Sequence, residues 1–582
     1  MWESANSGDR QLRNPSNSEG AFASPSPAPS TLRLLKMIPT KPTKTQLEQR
    51  VASALRKIEA QEADYEAITI GQLVSMRART HGSTSAIDVF ERGERATYSE
   101  VDQLSNKYAL ALRAFGVRKR DRIGVMLPNR IAFPVLWFAI AKLGAVMVPL
   151  NMRYTAREIQ YVLSDTQAKF AVVDESVRMV FSAMDPWPKH LAKDRVIAVG
   201  ESSERIALER LLRGLGDSPV EEDVRPDDLL NIQYTSGTTG FPKGCLLTHD
   251  YWGVRSYQAA CGEGQQYQRY LSAQNFFYAD PQADLVKSYR QGGTFYLAPT
   301  MSSTRFIGWV KQHRIEWCVF PQLVARQAES ADEDGATSLK ESLTWGCGPD
   351  TQRNIRKRFR IHTQDAYGMT EIGFGTQMPR GLDEMEDSGS VGIRAPFRKL
   401  RLMNDDGSPT PAGEIGELWV SGRGILKGYW NRPNVASFEG EWFKTGDLVR
   451  RDELGFYWLV GRTKDMIHRS GESIAAREVE AIIRQIPEIA DLAAVPVRDA
   501  MRGEEVKIYV ELRNGLAPDD LLVSRILEHA RANLAVFKVP RYIAFVPRLP
   551  RTNTSNKVLK RELIAVGDPL SGAYDTEEKR WR

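Results

Sequence analysis

The segment from Tyr234 through Gly244, YTSGTTGFPKG, constrains this chain more than any other stretch of it. Gly237, Gly240 and Gly244 let the backbone come close to a polyanion. Thr235, Ser236, Thr238 and Thr239 add hydroxyl donors, and Lys243 sets a positive charge beside them. A loop of this make-up grips phosphate. It is not the ordinary strand-to-helix phosphate loop, because Pro242 precedes Lys243 and Gly244 follows it, an order that cannot run straight into a helix. The apolar runs 229–234 and 245–248 predict a strand on either side of the loop. The plain alternative is a glycine- and hydroxyl-rich turn that binds nothing.

Further motifs follow in a fixed order: WGCGP at 345–349, YGMTE at 367–371, GELWVSGRGILKGY at 416–429, TGDL at 445–448, GRTKD at 461–465 and PRTNTSNK ending at Lys557. Upstream, 141–163 reads AKLGAVMVPLNMRYTAREIQYVL. This ordered set resembles the adenylate-forming superfamily, which includes acyl-CoA synthetases, luciferases and the adenylation domains of peptide synthetases. The resemblance implies a large N-terminal adenylate-forming domain followed by a small mobile C-terminal α/β domain.

Composition and pattern agree with an α/β protein. At 582 residues and 42% hydrophobic, the chain can bury more than one core. A net charge of +6 spread among 73 acidic residues does not point to nucleic acid. Residues 1–43 are rich in Ser, Pro, Asn and Gly and are expected to be a disordered extension, with Met37 an alternative start. Helical periodicity over 44–63 predicts a helix packed on the first domain. From about 68 to 460, strands such as 122–126 and 170–173 alternate with helical stretches such as 100–115, which argues α/β layers with much parallel sheet. The expected domains are 44–463 and 464–567, the latter with a helix at 477–486 and a strand at 506–512, and 568–582 is expected to be a mobile polar tail. The run Arg353, Arg356, Lys357, Arg358, Arg360 reads as a solvated helix face, with attraction of coenzyme A phosphates as the alternative. Four cysteines without a CxxC pair suit a reduced, cytoplasmic setting, and no apolar run is long enough to span a bilayer. Oligomeric state is not legible.

Activating a carboxylate with ATP places charge on oxygens, so the protein's task is to position and neutralise. On that basis Thr235 to Lys243 would hold the β- and γ-phosphates. Glu371 offers a hard oxygen for Mg2+ and Thr370 a hydroxyl for the α-phosphate. By resemblance Tyr367 stacks on adenine, with Asp365, Ala366 and Gly368 beside it; taken alone, Tyr367 reads as a core aromatic. Asp447 has two acceptor oxygens for the ribose hydroxyls, and Arg462 would add a donor there. The resemblance makes Lys557 the lysine that bridges the incoming carboxylate and the α-phosphate, although Asn556 stands where the family usually has Gly.

Attack of a thiol on the acyl-adenylate would then follow rotation of the small domain about Lys464, with Ser470, Gly471 and Glu472 lining the coenzyme A tunnel. The family's usual Gly-Gly-Glu-Asn is here Ser-Gly-Glu-Ser. For the acyl group the resemblance points to Tyr278, in place of the usual histidine, to Asp280, and to Trp345, Gly346 and Cys347. The stretch 281–290 carries Asp284 and Lys287, which suggests a small or medium acid with a polar or cationic substituent, or else a solvated helix face. Together these residues imply an ATP-, Mg2+- and CoA-dependent acid–thiol ligase acting through acyl-AMP. The rivals are a free-standing enzyme that loads a carrier protein, a luciferase-type oxidation and a non-catalytic nucleotide binder.

Overall fold

The computed structural model describes residues 43–582, apart from 201–205, 236–241, 264–265, 326–334, 346, 405, 433–436, 463–464, 470–471, 500–501, 535 and 552–556. Two largely parallel sheets dominate the N-terminal part. One runs, in spatial order, through Ile206–Ala207, Val196–Val199, Phe170–Asp174, Arg122–Met126, Val146–Pro149, Leu229–Thr235 and Lys243–Thr248. The other runs through Ile393–Arg394, Gly373–Gln377, His362–Met369, Glu341–Trp345, Trp317–Val319, Arg269–Ser272, Thr294–Leu297, Ser85–Val89 and Glu94–Thr97. Helices Tyr98–Ala114, Ala132–Lys142, His249–Glu263 and Ala279–Gln291 share one apolar core with strands of both sheets. The strands predicted at 122–126 and 170–173 are buried apart from the half-buried Arg122, as parallel strands covered on both faces must be.

Local chemistry sets the helix starts. Thr97 accepts from the Glu100 amide while Glu100 reaches back to the Thr97 amide, a capping box that Thr155 and Glu158 repeat. Thr43 caps Lys44–Ala63 in the same way with Gln46, so it begins this helix instead of ending the N-terminal extension. That helix packs Val51 and Ile58 against Met378, Ile393 and Phe456, and Glu62 binds Arg394 at 2.6 Å. The rest of the extension lies outside the described residues.

An antiparallel sheet of Arg398–Met403, Ile415–Gly422, Phe438–Glu439, Trp442–Arg451 and Tyr457–Arg462 completes this part. The C-terminal part has its own core, where Ala476–Ile483 and Asp520–Asn533 pack on Gly503–Leu512, as the pattern at 477–486 and 506–512 predicts.

Two expectations are corrected here. The tail is ordered: Ala573–Asp575 pairs with Tyr542–Val546, and Arg580–Trp581 pairs in turn with Ala573–Asp575. Its polar sequence serves ion pairs, with Asp575 fully buried against Arg582 at 2.6 Å. The arginine run at 353–360 is a solvated face only in part: Arg353, Lys357 and Arg360 are exposed, but the other two are not. Arg356 is paired with Glu386 and Asp387, and Arg358 is 8% exposed with its guanidinium on the carbonyls of Val324 and Ala325.

Candidate active site

Thr235 stands opposite Lys243 in the ladder between Leu229–Thr235 and Lys243–Thr248, so the two ends of the glycine-rich loop are fixed side by side. Ser236, Gly237, Thr238, Thr239 and Gly240 lie outside the described residues. The GILKGY stretch is laid along the second strand. Lys427 donates its amide to Leu246 at 2.9 Å, Leu246 to Gly428 at 3.0 Å and Trp430 to Gly244 at 2.8 Å. This places the Tyr429 ring 5.1 Å from Lys243 Nζ, a cation–π contact. The Tyr429 hydroxyl donates to Glu371 Oε1 at 2.9 Å, and the Leu426 amide donates to the Glu371 carbonyl at 2.8 Å. Burial raises the pKa of Glu371, against the hydrogen bond from Tyr429 and the charge of Arg462.

The second cluster lies where the strand of YGMTE meets the strands of TGDL and GRTKD. Asp447 and Arg462 face each other in register, with Arg462 Nε on Asp447 Oδ1 at 2.7 Å, and the Tyr367 hydroxyl donates to Asp447 Oδ2 at 2.7 Å. Asp365 is buried beneath, accepting from the Thr344 hydroxyl at 3.1 Å. Ala366 is buried between them, and Thr370 is half-buried in the turn beyond Met369. Gly368 has to be glycine, because a Cβ there would lie 2.3 Å from the Gly373 carbonyl and 3.0 Å from the Trp345 ring. From the C-terminal part, Lys557 comes within electrostatic reach of Arg462, Asp465, Asp447 and Lys560. Burial first, and then the like charge of Arg462, lowers the Lys557 pKa from its ordinary 10.5. Three cations, Lys243, Arg462 and Lys557, thus stand around two buried carboxylates, an arrangement suited to a polyphosphate.

Residues 74–430 match the model of the AMP-binding enzyme family, and 478–556 match that of the AMP-binding enzyme C-terminal domain. The chain belongs to the AMP-binding enzyme family. It is similar to a feruloyl-CoA synthase of Amycolatopsis, 31% identical over 83% of this chain and 96% of the relative. It is also similar to a long-chain-fatty-acid–CoA ligase of Mycobacterium tuberculosis, 29% identical over 85% and 97% of the two chains. The solved anthranilate CoA ligase in complex with anthranoyl-AMP superposes with a TM-score of 0.77 at 21% identity, covering 86% of this chain and 98% of that one. As a member of the family this chain is an AMP-forming acid–thiol ligase.

At the candidate acyl end of this AMP-binding enzyme, Trp345 stacks against Phe374 with ring centroids 5.0 Å apart, and its buried Nε1 has no hydrogen-bond partner among the described residues. Burial pushes the Cys347 thiol up to about 12. Tyr278 precedes the helix Ala279–Gln291, its ring 4.4 Å from Phe277 and its hydroxyl 3.5 Å from Asn151 Nδ2. That helix is buried almost throughout, with Lys287 fully enclosed over the Trp317 ring, so its polar residues are not a solvated face. The Asp280 carboxylate is paired with the guanidinium of Arg255, which also donates to the Tyr251 hydroxyl at 3.1 Å. A cationic substituent on the substrate would therefore have to compete with Arg255.

Gly346, Lys464, Ser470 and Gly471 lie outside the described residues, and Glu472 is described only as the start of the strand Glu472–Ala475. Two site residues escaped the reading of the sequence. Tyr429 ends a motif that was read as a marker without a role, and its position just after a glycine that meets the loop's second strand was the available signal. Arg255 carries no motif; only the fold brings the middle of the helix His249–Glu263 to Asp280.

Proposed function

We propose that the chain couples ATP to a small or medium carboxylic acid bearing a polar group, through enzyme-bound acyl-AMP, and passes the acyl group to coenzyme A. The observation that carries this reading is the meeting of Lys557 with Arg462 and Asp447, opposite Lys243, Tyr429 and Glu371. In the first step the substrate carboxylate oxygen attacks the α-phosphorus and pyrophosphate leaves. Lys557 and Arg462 offset charge on the α-phosphate oxygens, and Lys243 offsets charge on the departing pyrophosphate. Tyr367 and Asp447 hold adenosine. In the second step the thiol sulfur attacks the acyl carbonyl, the thiol proton is lost and AMP leaves.

Glu371 is a single buried carboxylate, and among the described residues no cluster of three or more His, Cys, Asp or Glu could hold a metal by itself. One carboxylate fits Mg2+, which takes most of its ligands from phosphates and water, and a bound Mg2+ would neutralise phosphate charge. No described helix is long and apolar enough to cross a membrane, and a cytoplasmic setting suits the substrates.

Asp280, Asn151 and Tyr278 favour a polar acid. With Arg255 already on Asp280, the favoured polar group is neutral, such as a hydroxyl or an amide. The test is AMP release across a panel of acids with and without CoA. Release that requires CoA and peaks on short polar acids supports the reading, and a maximum on unsubstituted long-chain acids sinks the acyl assignment. AMP formation that is unaffected by CoA points to another acceptor.

A further inference from the structure

The tail beyond residue 567 lies past the region matched by the family's C-terminal model, yet it is tied to the hairpin Met466–Arg469 and Glu472–Ala475. Arg469 ends the first strand, opposite Glu472 on one side and Gly503 on the other. Its guanidinium grips Glu505, which is fully buried, at 2.6 and 3.2 Å, and also donates to the Phe537 carbonyl at 3.1 Å. Arg502 reaches the same Glu505 at 2.5 Å, and Arg541 approaches it at 3.7 Å. One buried carboxylate thus faces three guanidinium groups. Asp499 takes up part of the charge of Arg541 at 3.0 Å.

The remaining compensation comes from the tail. Glu577 receives Arg502 at 2.6 Å and lies 3.5 Å from Arg541 and 4.0 Å from Arg469. Asp575, fully buried, accepts the amides of Glu577 and Glu578 at 3.0 and 3.1 Å and binds Arg582 at 2.6 Å, so it fixes the turn that presents Glu577. A buried arginine cluster short of negative charge shifts its side chains apart.

We infer that the tail, through Asp575 and Glu577, is a positioning element for the Arg469 end of this hairpin, and through it for coenzyme A in the second half-reaction. The inference rests on the acid:CoA ligase reading and on the resemblance that sets Ser470, Gly471 and Glu472, next to Arg469, along the coenzyme A tunnel. Glu577 is half-exposed and its ion pairs among the described residues are to Arg469, Arg502 and Arg541, so its effect should be confined to the thiol step.

The experiment uses the full-length chain, with acyl-AMP formation measured in single turnover without CoA and thioester formation measured against CoA concentration. Glu577→Lys places a like charge beside three arginines, and small displacements of a substrate-positioning group are costly in rate and binding. We expect KM for CoA to rise about ten-fold with CoA-independent acyl-AMP formation unchanged. Glu577→Asp should recover most of the wild-type value. Truncation after residue 567 should reproduce the rise if the shortened chain still forms acyl-AMP. An unchanged KM for CoA in Glu577→Lys, or equal loss in both half-reactions, overturns the inference. Absence of thioester from the wild-type chain with every acid overturns the ligase reading instead, and the inference with it.

Discussion

The Tyr367 hydroxyl donates to Oδ2 of Asp447 at 2.7 Å while Arg462 holds Oδ1 of the same carboxylate at 2.7 Å. The candidate adenine-binding strand is thereby tied to the candidate ribose-binding strand, and the carboxylate is oriented before nucleotide arrives. Burial and the charge of Asp447 hold the Tyr367 phenol well above its ordinary 10, so it remains a donor at any working pH. Tyr367→Phe leaves the ring and removes this bond, which is worth about 1 kcal/mol. ATP affinity measured by calorimetry should fall about five-fold. An unchanged Kd would mean that the pair does not prepare the nucleotide site.

Lys557→Ala should slow acyl-adenylate formation about 100-fold or more, with little change in ATP affinity, because it removes a donor used mainly as charge develops. Carboxylate-dependent pyrophosphate exchange measures it, and near-normal exchange would identify a different lysine. The pH dependence has a definite sign. Burial and Arg462 lower the Lys557 pKa, so the cation is present below that lowered value and is lost as pH rises through it. The exchange rate should fall on the alkaline side, and Lys557→Arg should move that limb to higher pH, since a guanidinium stays charged.

Arg255 neutralises Asp280 inside the candidate acyl pocket. Arg255→Met should expose an uncompensated carboxylate and raise kcat/KM for an acid with a cationic substituent relative to its neutral isostere, by about ten-fold. If Asp280 stays paired through another residue, the ratio will not move. Asp284, which burial and the nearby Asp280 carboxylate push up to about 7, belongs to the same buried group and should stay protonated more readily once Arg255 is gone.

His249 is fully buried, accepts the Ile70 amide at Nδ1 at 3.2 Å, and has its pKa lowered by burial from 6.5 to about 4. A group whose folded pKa is depressed contributes stability above its unfolded pKa and loses it as pH falls toward the folded value. Between pH 6.5 and 4 this residue should cost about 3 kcal/mol. Urea midpoints of the wild type should therefore drop more steeply over that window than those of His249→Gln, whose amide oxygen can still accept from Ile70. Parallel slopes would remove His249 from the acid sensitivity of the fold.

Much of the architecture was written in local pattern. Strands 122–126 and 170–173, the helix expected at 477–486, which runs Ala476–Ile483, and the strand at 506–512 follow from period and residue type, because one buried face or a fully buried strand leaves its mark within a few residues. The extended segments flanking the glycine-rich loop were legible for the same reason, and the motif order pointed to the family. Asp447 and Arg462 were readable as a pair of groups for one ligand, although their direct ion pair was not.

Tertiary structure alone decided where polar residues in long segments go. The tail 568–582 and the helix Ala279–Gln291 both look like solvent-facing stretches, since their charges carry no sign of their partners in the local sequence. Asp575 is buried because it meets Arg541 and Arg582, and Asp280 is shielded where it meets Arg255, across separate elements of the fold, while Glu577, Glu578 and Arg580 of the tail stay exposed. A charge is stable away from water only when an opposite charge or a hydrogen bond waits there, and that condition is set by distant residues. The sequence determined the elements and the chemistry they carry; which charges are spent on one another, and which are left to meet a substrate, was determined by packing.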